Sequence, residues 1–262
     1  MTTQNPQSRV RLIVPCYNEE QRLDRARFAA FGRDPRIDLL FVDDGSKDGT
    51  ARVLGDLAAE SQGKIGFHAM PANAGKGEAV RQGLLVALDE GYEIVGFADA
   101  DLSTPPAELL KLLDQLEGPG VQAVTGARVM LVGRHIERKH TRHYLGRIFA
   151  TLAATILRTP FYDTQCGAKL FRASPLLRAA LSRPFVSRWA FDVELLGRLL
   201  VGLDGEPGLA PGELVEVPLD EWVDVDGSKL HMGSMAKTLV DLAKIELEME
   251  RLRARQPPPR RR

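Results

Sequence analysis

From about residue 9 to residue 125 short β-rich runs alternate with helical patterns, and this alternation limits the possible folds more than any other feature. Residues 9–14 (RVRLIV), 37–42 (IDLLFV), 64–70, 94–98 and 121–125 read as strands. Between them, residues 19–31, 47–60, 77–89 and 106–116 read as helices, the first with Asn18 as its N-cap. Strands joined by helical crossovers pair in parallel and are covered by helices on both faces. The expected architecture is therefore α/β, a mostly parallel Rossmann-like sheet in a single domain. Pro105-Pro106 at one helix start and Gly118-Pro119-Gly120 after its end support those boundaries.

After Ala127 the rhythm changes. Residues 134–147 carry Arg134, Arg138, Lys139, Arg142 and Arg147 against one acid, Glu137. An apolar helix is expected over 144–157, another over 191–201 and a long one over 232–255. The eight acids between Asp204 and Asp226 read as loop and solvated strand, and the final QPPPRRR as a disordered basic tail. The expected divisions are a disordered 1–8, a domain over 9–245 with halves meeting near residue 127, and a helix end with its tail over 246–262.

Thirty-five basic residues balance thirty-five acidic ones, so no global field attracts nucleic acid. Apolar residues at 44% and charged residues at 27% exclude a disordered, collagen-like or coiled-coil chain. Cys16 and Cys166 are too few for a disulfide framework and lack metal-ligand spacing, which suits free buried thiols in a reducing compartment. The first fifteen residues hold no signal-peptide core, and no run reaches the roughly 18 apolar residues of a membrane span. A cytoplasmic chain is expected, or one lying on the inner face of a membrane. The helix over 144–157, basic at its start and apolar in its body, suits either an interfacial position or a buried one.

Open α/β sheets bind ligands at the carboxyl ends of their strands. PCYNEE (15–20), DDGS (43–46) and DAD (99–101) are expected there. In extended backbone, residues two apart share a face about 6.5 Å apart. Asp99 and Asp101 can thus converge on one hard divalent cation, Mg²⁺ or Mn²⁺, with Ala100 turned away. Such a metal would screen a diphosphate leaving group. Asp43 and Asp44 are open to two uses, accepting from a nucleobase imide or simply closing a turn. NAGKG (73–77) has neither P-loop nor dinucleotide spacing, which excludes a nicotinamide-dependent oxidoreductase; Lys76 there is either a phosphate contact or a solvated lysine.

VPCYNEE, FVDDGSKDGT, NAGKGEAVRQG and FADADLSTP, in this order and spacing, resemble family 2 glycosyltransferases of the GT-A fold. DTQCGAKLF (163–171), RWAFDVELL (188–196) and the Trp222…Gly-Ser-Lys element resemble dolichyl-phosphate β-glucosyltransferases and bacterial polyprenyl-phosphate relatives. The resemblance covers about residues 9–245. It implies an inverting transfer of a hexose, glucose from UDP-glucose, to a polyprenyl or dolichyl phosphate. Pro15, Tyr17, Glu19 and Asp43 would line the nucleotide pocket, and Asp99 and Asp101 would handle metal and diphosphate. Asp192 would lie near the acceptor. Gln165, Arg188 and Trp189 would shape the sugar and acceptor side, with Arg128 and Lys229 as anion-binding groups. Acceptor-side helices would follow the nucleotide-binding half, with peripheral membrane contact and a membrane-protein partner as further expectations.

A phosphate monoester is largely anionic at pH 7, so such an acceptor needs little or no general base. It needs cations instead, which the stretch from Arg128 through Arg142 supplies. A hydroxyl acceptor would require a base, Asp192 first and Glu194 second. Two rival readings follow: a soluble transferase acting on a sugar or small-molecule hydroxyl, and a non-catalytic nucleotide-sugar-binding subunit.

Overall fold

A computed structural model describes residues 9–31, 34–137, 140–223 and 235–255, with the backbone alone for residues 30, 137, 140–147 and 235–238. In chain order the elements run β1 (Val10–Cys16), α1 (Arg25–Phe31), β2 (Ile37–Asp43), α2 (Thr50–Glu60), β3 (Ile65–Ala69), α3 (Lys76–Asp89), β4 (Ile94–Phe97), α4 (Pro106–Leu116) and β5 (Ala123–Ala127). Then follow β6 (His135–Glu137), α5 (His140–Leu157), β7 (Lys169–Arg172), α6 (Pro175–Leu181), α7 (Phe191–Val201), β8 (Gly202–Leu203), β9 (Glu206–Pro207), β10 (Leu214–Pro218), β11 (Glu221–Val223) and α8 (Met235–Arg255).

Seven strands form one sheet in the order β10-β5-β7-β4-β1-β2-β3. All its pairings are parallel except those of β7, which runs antiparallel between β4 and β5. The strands are apolar almost without interruption, as a sheet covered on both faces requires. Side chains alternate between the faces. Ile13, Leu40, Val42, Phe97 and Phe171 join the core that holds α3 and α5–α8. Leu12, Val14, Leu39, Phe41 and Leu170 join the core of the other face with α1, α2 and α4.

Register creates the crevice. Cys16, the last residue of β1, lies level with Asp43, the last of β2. On its other side β1 is paired only as far as Ile13, opposite Phe97 at the end of β4. The chain therefore leaves the sheet early at β4, and the acidic segment that follows turns across a step beside the projecting ends of β1 and β2.

Two expectations are corrected. No helix begins at Glu19: a single turn (Leu23 N to Glu19 O, 2.9 Å) is followed by α1 at Arg25. Its N-cap is Asp24, whose Oδ1 accepts from Arg27 N at 2.9 Å. Asn18 has φ 51°, and its Oδ1 accepts from Lys47 N at 2.9 Å, so it braces a loop instead of capping a helix. The second is an omission: β7 lies in a segment to which the sequence reading gave no element, whereas the short strands β8–β11 fall largely in the acidic stretch read as loop and solvated strand. The expectations for residues 1–8, Lys229 and the tail after Arg255 lie outside the described residues.

Candidate active site

The loop after β2 and the segment after β1 clasp each other. Asn18 N donates to Ser46 Oγ (2.9 Å), Glu19 N to Thr50 Oγ1 (2.8 Å) and Gly49 N to Glu20 Oε2 (2.9 Å). Asp43 is buried and accepts from Ser46 through both its backbone N–H (3.1 Å) and its hydroxyl. Pro15, Tyr17 and Glu19 are half-buried beside it at the end of β1.

Asp44, adjacent in sequence, does different work. Its carboxylate accepts from Asn73 Nδ2 (2.9 Å), Ala74 N (2.6 Å) and Gly75 N (2.8 Å). Arg188 closes the same loop from the other side, donating to Asn73 O, Asn73 Oδ1 and Ala74 O at 2.6–2.9 Å. Gly75 has φ +100°, and a Cβ there would meet Arg188 at 2.6 Å, so glycine is required. Arg188 is thus a brace of the 73–75 loop. Its neighbour Trp189 is exposed.

The braced loop launches α3 at Lys76. Gly77 lies so close to Phe191 that a Cβ would stand 2.8 Å from it, and this bare position lets the starts of α3 and α7 touch. Lys76 consequently reaches Asp99, with Nζ 2.5 Å from Oδ1, and carries the fields of Asp192 and Asp101 as well. Burial alone would lower its pKa, but those three carboxylates outweigh it and hold the ammonium charged.

Asp99 and Asp101 sit on a turn after β4, not on extended strand: Leu102 N donates to Asp99 O, and Leu102 has φ 53°. Ala100, expected among the residues that bind the nucleotide sugar, is half-buried and packs against the apolar core. Asp101 Oδ1 accepts from Ser103 N at 3.0 Å. Burial first, and then the charge of Asp99, raise the Asp101 pKa. Two neighbouring carboxylates of this kind are a hard oxygen donor pair. Asp99 Oδ1 is a buried atom that accepts no hydrogen bond among the described residues apart from its ion pair with Lys76. The described residues contain no cluster of three or more His, Cys, Asp or Glu, so a metal here would draw its other ligands from a diphosphate or water, which suits Mg²⁺ or Mn²⁺. The donor set fits.

Asp192, in the first turn of α7, is buried and accepts from Lys169 Nζ at 2.7 Å. Lys169 is fully buried; it also donates to Cys166 O (2.6 Å) and lies 5.2 Å from the Phe97 ring centroid. Burial raises the Asp192 pKa, while Lys169 and Lys76 oppose the shift. Lys169 is a residue the sequence reading missed. A lysine inside KLF resembles a solvated residue of an amphipathic strand, and its partner lies 23 positions away.

Two assignments change. Arg128 is not a free cation: its Nε and Nη2 donate to Asp163 (2.6 and 2.8 Å), and its guanidinium lies 5.1 Å from the Trp222 ring centroid. Burial lowers its pKa and the Asp163 pairing more than restores it. Glu194, the alternative base, is buried and committed to Arg198 (2.6 Å) and Val186 N (2.8 Å). The Arg128–Asp163 pair instead shapes the loop that carries half-buried Gln165, with Asp163 N and Tyr162 N donating to Glu216 at 2.7 and 2.8 Å. Arg142 stands in the first turns of α5 with its side chain undescribed, and Lys229 lies outside the described residues. Among the described residues no helix is long and apolar enough to cross a membrane.

The model of the family described as Glycosyl transferase family 2 matches residues 12–178. The chain is 33% identical over 250 residues to the human dolichyl-phosphate beta-glucosyltransferase, covering 86% of this chain and 71% of that one. It is 28% identical over 198 residues to the polyprenol monophosphomannose synthase of Mycolicibacterium smegmatis, covering 76% and 74%. Glucosyl-3-phosphoglycerate synthase from Mycobacterium tuberculosis, solved with Mn²⁺, UDP-glucose and phosphoglyceric acid, superposes with a TM-score of 0.65 at 21% identity, covering 91% of this chain and 80% of that one.

Proposed function

The chain belongs to glycosyl transferase family 2 and has the GT-A fold, and from that premise we propose that it transfers glucose from UDP-glucose, with inversion, to a polyprenyl phosphate. That it is a glycosyltransferase follows from its family. The observation supporting the finer reading is the cluster of Asp99, Asp101, Lys76 and Asp192 gathered at the carboxyl ends of β1, β2 and β4. Similarity to enzymes named for dolichyl-phosphate glucosylation supports the donor and the acceptor.

In this reading Asp43, Pro15, Tyr17 and Glu19 receive the nucleoside. Asp99 and Asp101 would hold Mg²⁺ or Mn²⁺, which would supply charge stabilisation of the departing diphosphate. Lys76 donates to diphosphate oxygens. Asp192, fixed by Lys169, presents its carboxylate toward the reacting centre and orients the incoming group. A lipid phosphate is already an anion at pH 7, so orientation and screening carry most of the rate. Gln165 and Trp189 border the sugar and acceptor, while Arg142 and Lys229 approach the acceptor phosphate. Arg128 shapes this side through Asp163. Peripheral association with the cytoplasmic face of a membrane would bring the acceptor to the site.

The test is a donor screen. Radiolabelled UDP-glucose, GDP-mannose and UDP-N-acetylglucosamine are incubated with the protein, Mn²⁺ or Mg²⁺ and short-chain polyprenyl phosphate in detergent. Metal-dependent appearance of glucose label in the organic phase is expected. Label from another donor overturns the sugar assignment. Transfer to a soluble hydroxyl acceptor instead, with Asp192→Asn losing several orders of magnitude, would make Asp192 a general base; its burial-raised pKa is the observation favouring that second reading.

A further inference from the structure

Asp99 is held on two sides. A Cβ on Gly167 would stand 2.1 Å from Asp99 Oδ2, so one edge of the carboxylate lies against the bare backbone there. On the other edge Oδ1 faces the Lys76 ammonium at 2.5 Å. Lys76 has little freedom at its root, because Asp44 and Arg188 fix the loop from which it springs. The open edge of the acid pair is therefore already taken by a cation that belongs to the chain.

The charges make the consequence definite. Counted formally, Asp99, Asp101 and Asp192 contribute three negative charges and Lys76 and Lys169 two positive ones, a net of one negative charge. A divalent cation alone would invert that sign in a recessed site beside an ammonium. A divalent cation together with a nucleoside diphosphate would not, because the diphosphate oxygens accept the Lys76 ammonium as it leaves Asp99.

We propose that Lys76 is a built-in counter-cation of the acid pair, which blocks entry of a divalent metal alone and couples metal binding to binding of a nucleoside diphosphate. The proposal rests on the reading of Asp99 and Asp101 as metal ligands. It makes Lys76 the residue that changes partner, from Asp99 to phosphate, when the donor binds. Linkage requires the coupling to be mutual, each ligand tightening the other by one common factor.

The experiment measures Mn²⁺ binding at pH 8 from the electron paramagnetic resonance signal of free Mn²⁺, alone and with UDP or inorganic diphosphate. The wild type is expected to bind Mn²⁺ weakly alone and about 30-fold more tightly with UDP, within the range usual for coupled sites. Lys76→Met is expected to bind Mn²⁺ alone about tenfold more tightly than the wild type, with UDP adding about threefold or less. Lys76→Met/Asp99→Asn should lose the gain. Thermal melting accompanies each protein, and Lys76→Gln carries the same comparison if the methionine variant melts early. A lysine variant that binds Mn²⁺ alone no more tightly than wild type overturns the proposal, as does a wild type whose Mn²⁺ affinity neither diphosphate improves. Tightening by inorganic diphosphate but not by UDP, with the variant's gain intact, supports Lys76 in this role and overturns the uridine-nucleotide reading.

Discussion

Gly167 shows how a residue without a side chain can set the geometry of a site. The Asp99 carboxylate occupies the space a Cβ would need, and that carboxylate is the flexible end of a side chain. Gly167→Ala should therefore fold normally and push Asp99 aside, lowering kcat by on the order of 10²-fold, as small misplacements of reacting groups do. Steady-state kinetics with a melting curve checks this, and an unchanged kcat would refute it. Its neighbour Cys166 is fully buried, and burial pushes its thiol from 9.0 up to about 11. The folded chain thus keeps a proton that the unfolded chain releases above pH 9.0, so this contribution to stability is present below that pH and lost as pH rises towards 11. Between pH 8 and pH 10 the wild type should lose about 1 kcal/mol more than Cys166→Ala in urea unfolding, and equal losses would contradict the burial argument. The acid pair stood out in the sequence because it follows an apolar run in company with PCYNEE and DDGS, although a D-x-D by itself is as often two solvated acids at a strand end. Lys169 was not, since only the fold shows that its surroundings are apolar and that Asp192 meets it. Arg128 looked like an anion site for the same reason: its partner Asp163 lies 35 residues away.

Among the elements, α4 was read at its observed bounds, because prolines mark its start and a Gly-Pro-Gly follows its end. The first five strands were likewise visible in their largely apolar runs, to within two residues at each end. The first helix was overextended. Asn-Glu-Glu has the composition of a capped helix start, yet Asn18 and Glu20 are held by Lys47 N and Gly49 N, contacts that no local pattern reveals. The same clasp delays α2 to Thr50. The turn at Asp99–Asp101 brings its acids together by a route other than the extended alternation expected from the sequence. β7 escaped notice because KLFR is four residues long and its neighbours in the sheet are remote in the chain.

At the scale of the whole molecule the sheet binds the chain into one unit. β4 and β5 are successive in sequence but not in space, since β7 lies between them and pairs with both. β10 then covers the outer edge of β5. Residues 1–127 alone would hold β5 with no partner strand on either side, and they should show no cooperative unfolding transition. The full chain should unfold in one, with the fluorescence of Trp189 and Trp222 coincident with the circular dichroism signal; separated transitions would contradict this interleaving. The ribosome meets the same arrangement from the other end. Domains usually acquire structure as they emerge, yet this chain must keep the margins of β4 and β5 uncommitted until residue 172 is synthesised, and the far edge of β5 until residue 218. Until residue 172 three apolar strand edges lie open, one on β4 and both on β5, and chaperone capture during translation has its natural window there.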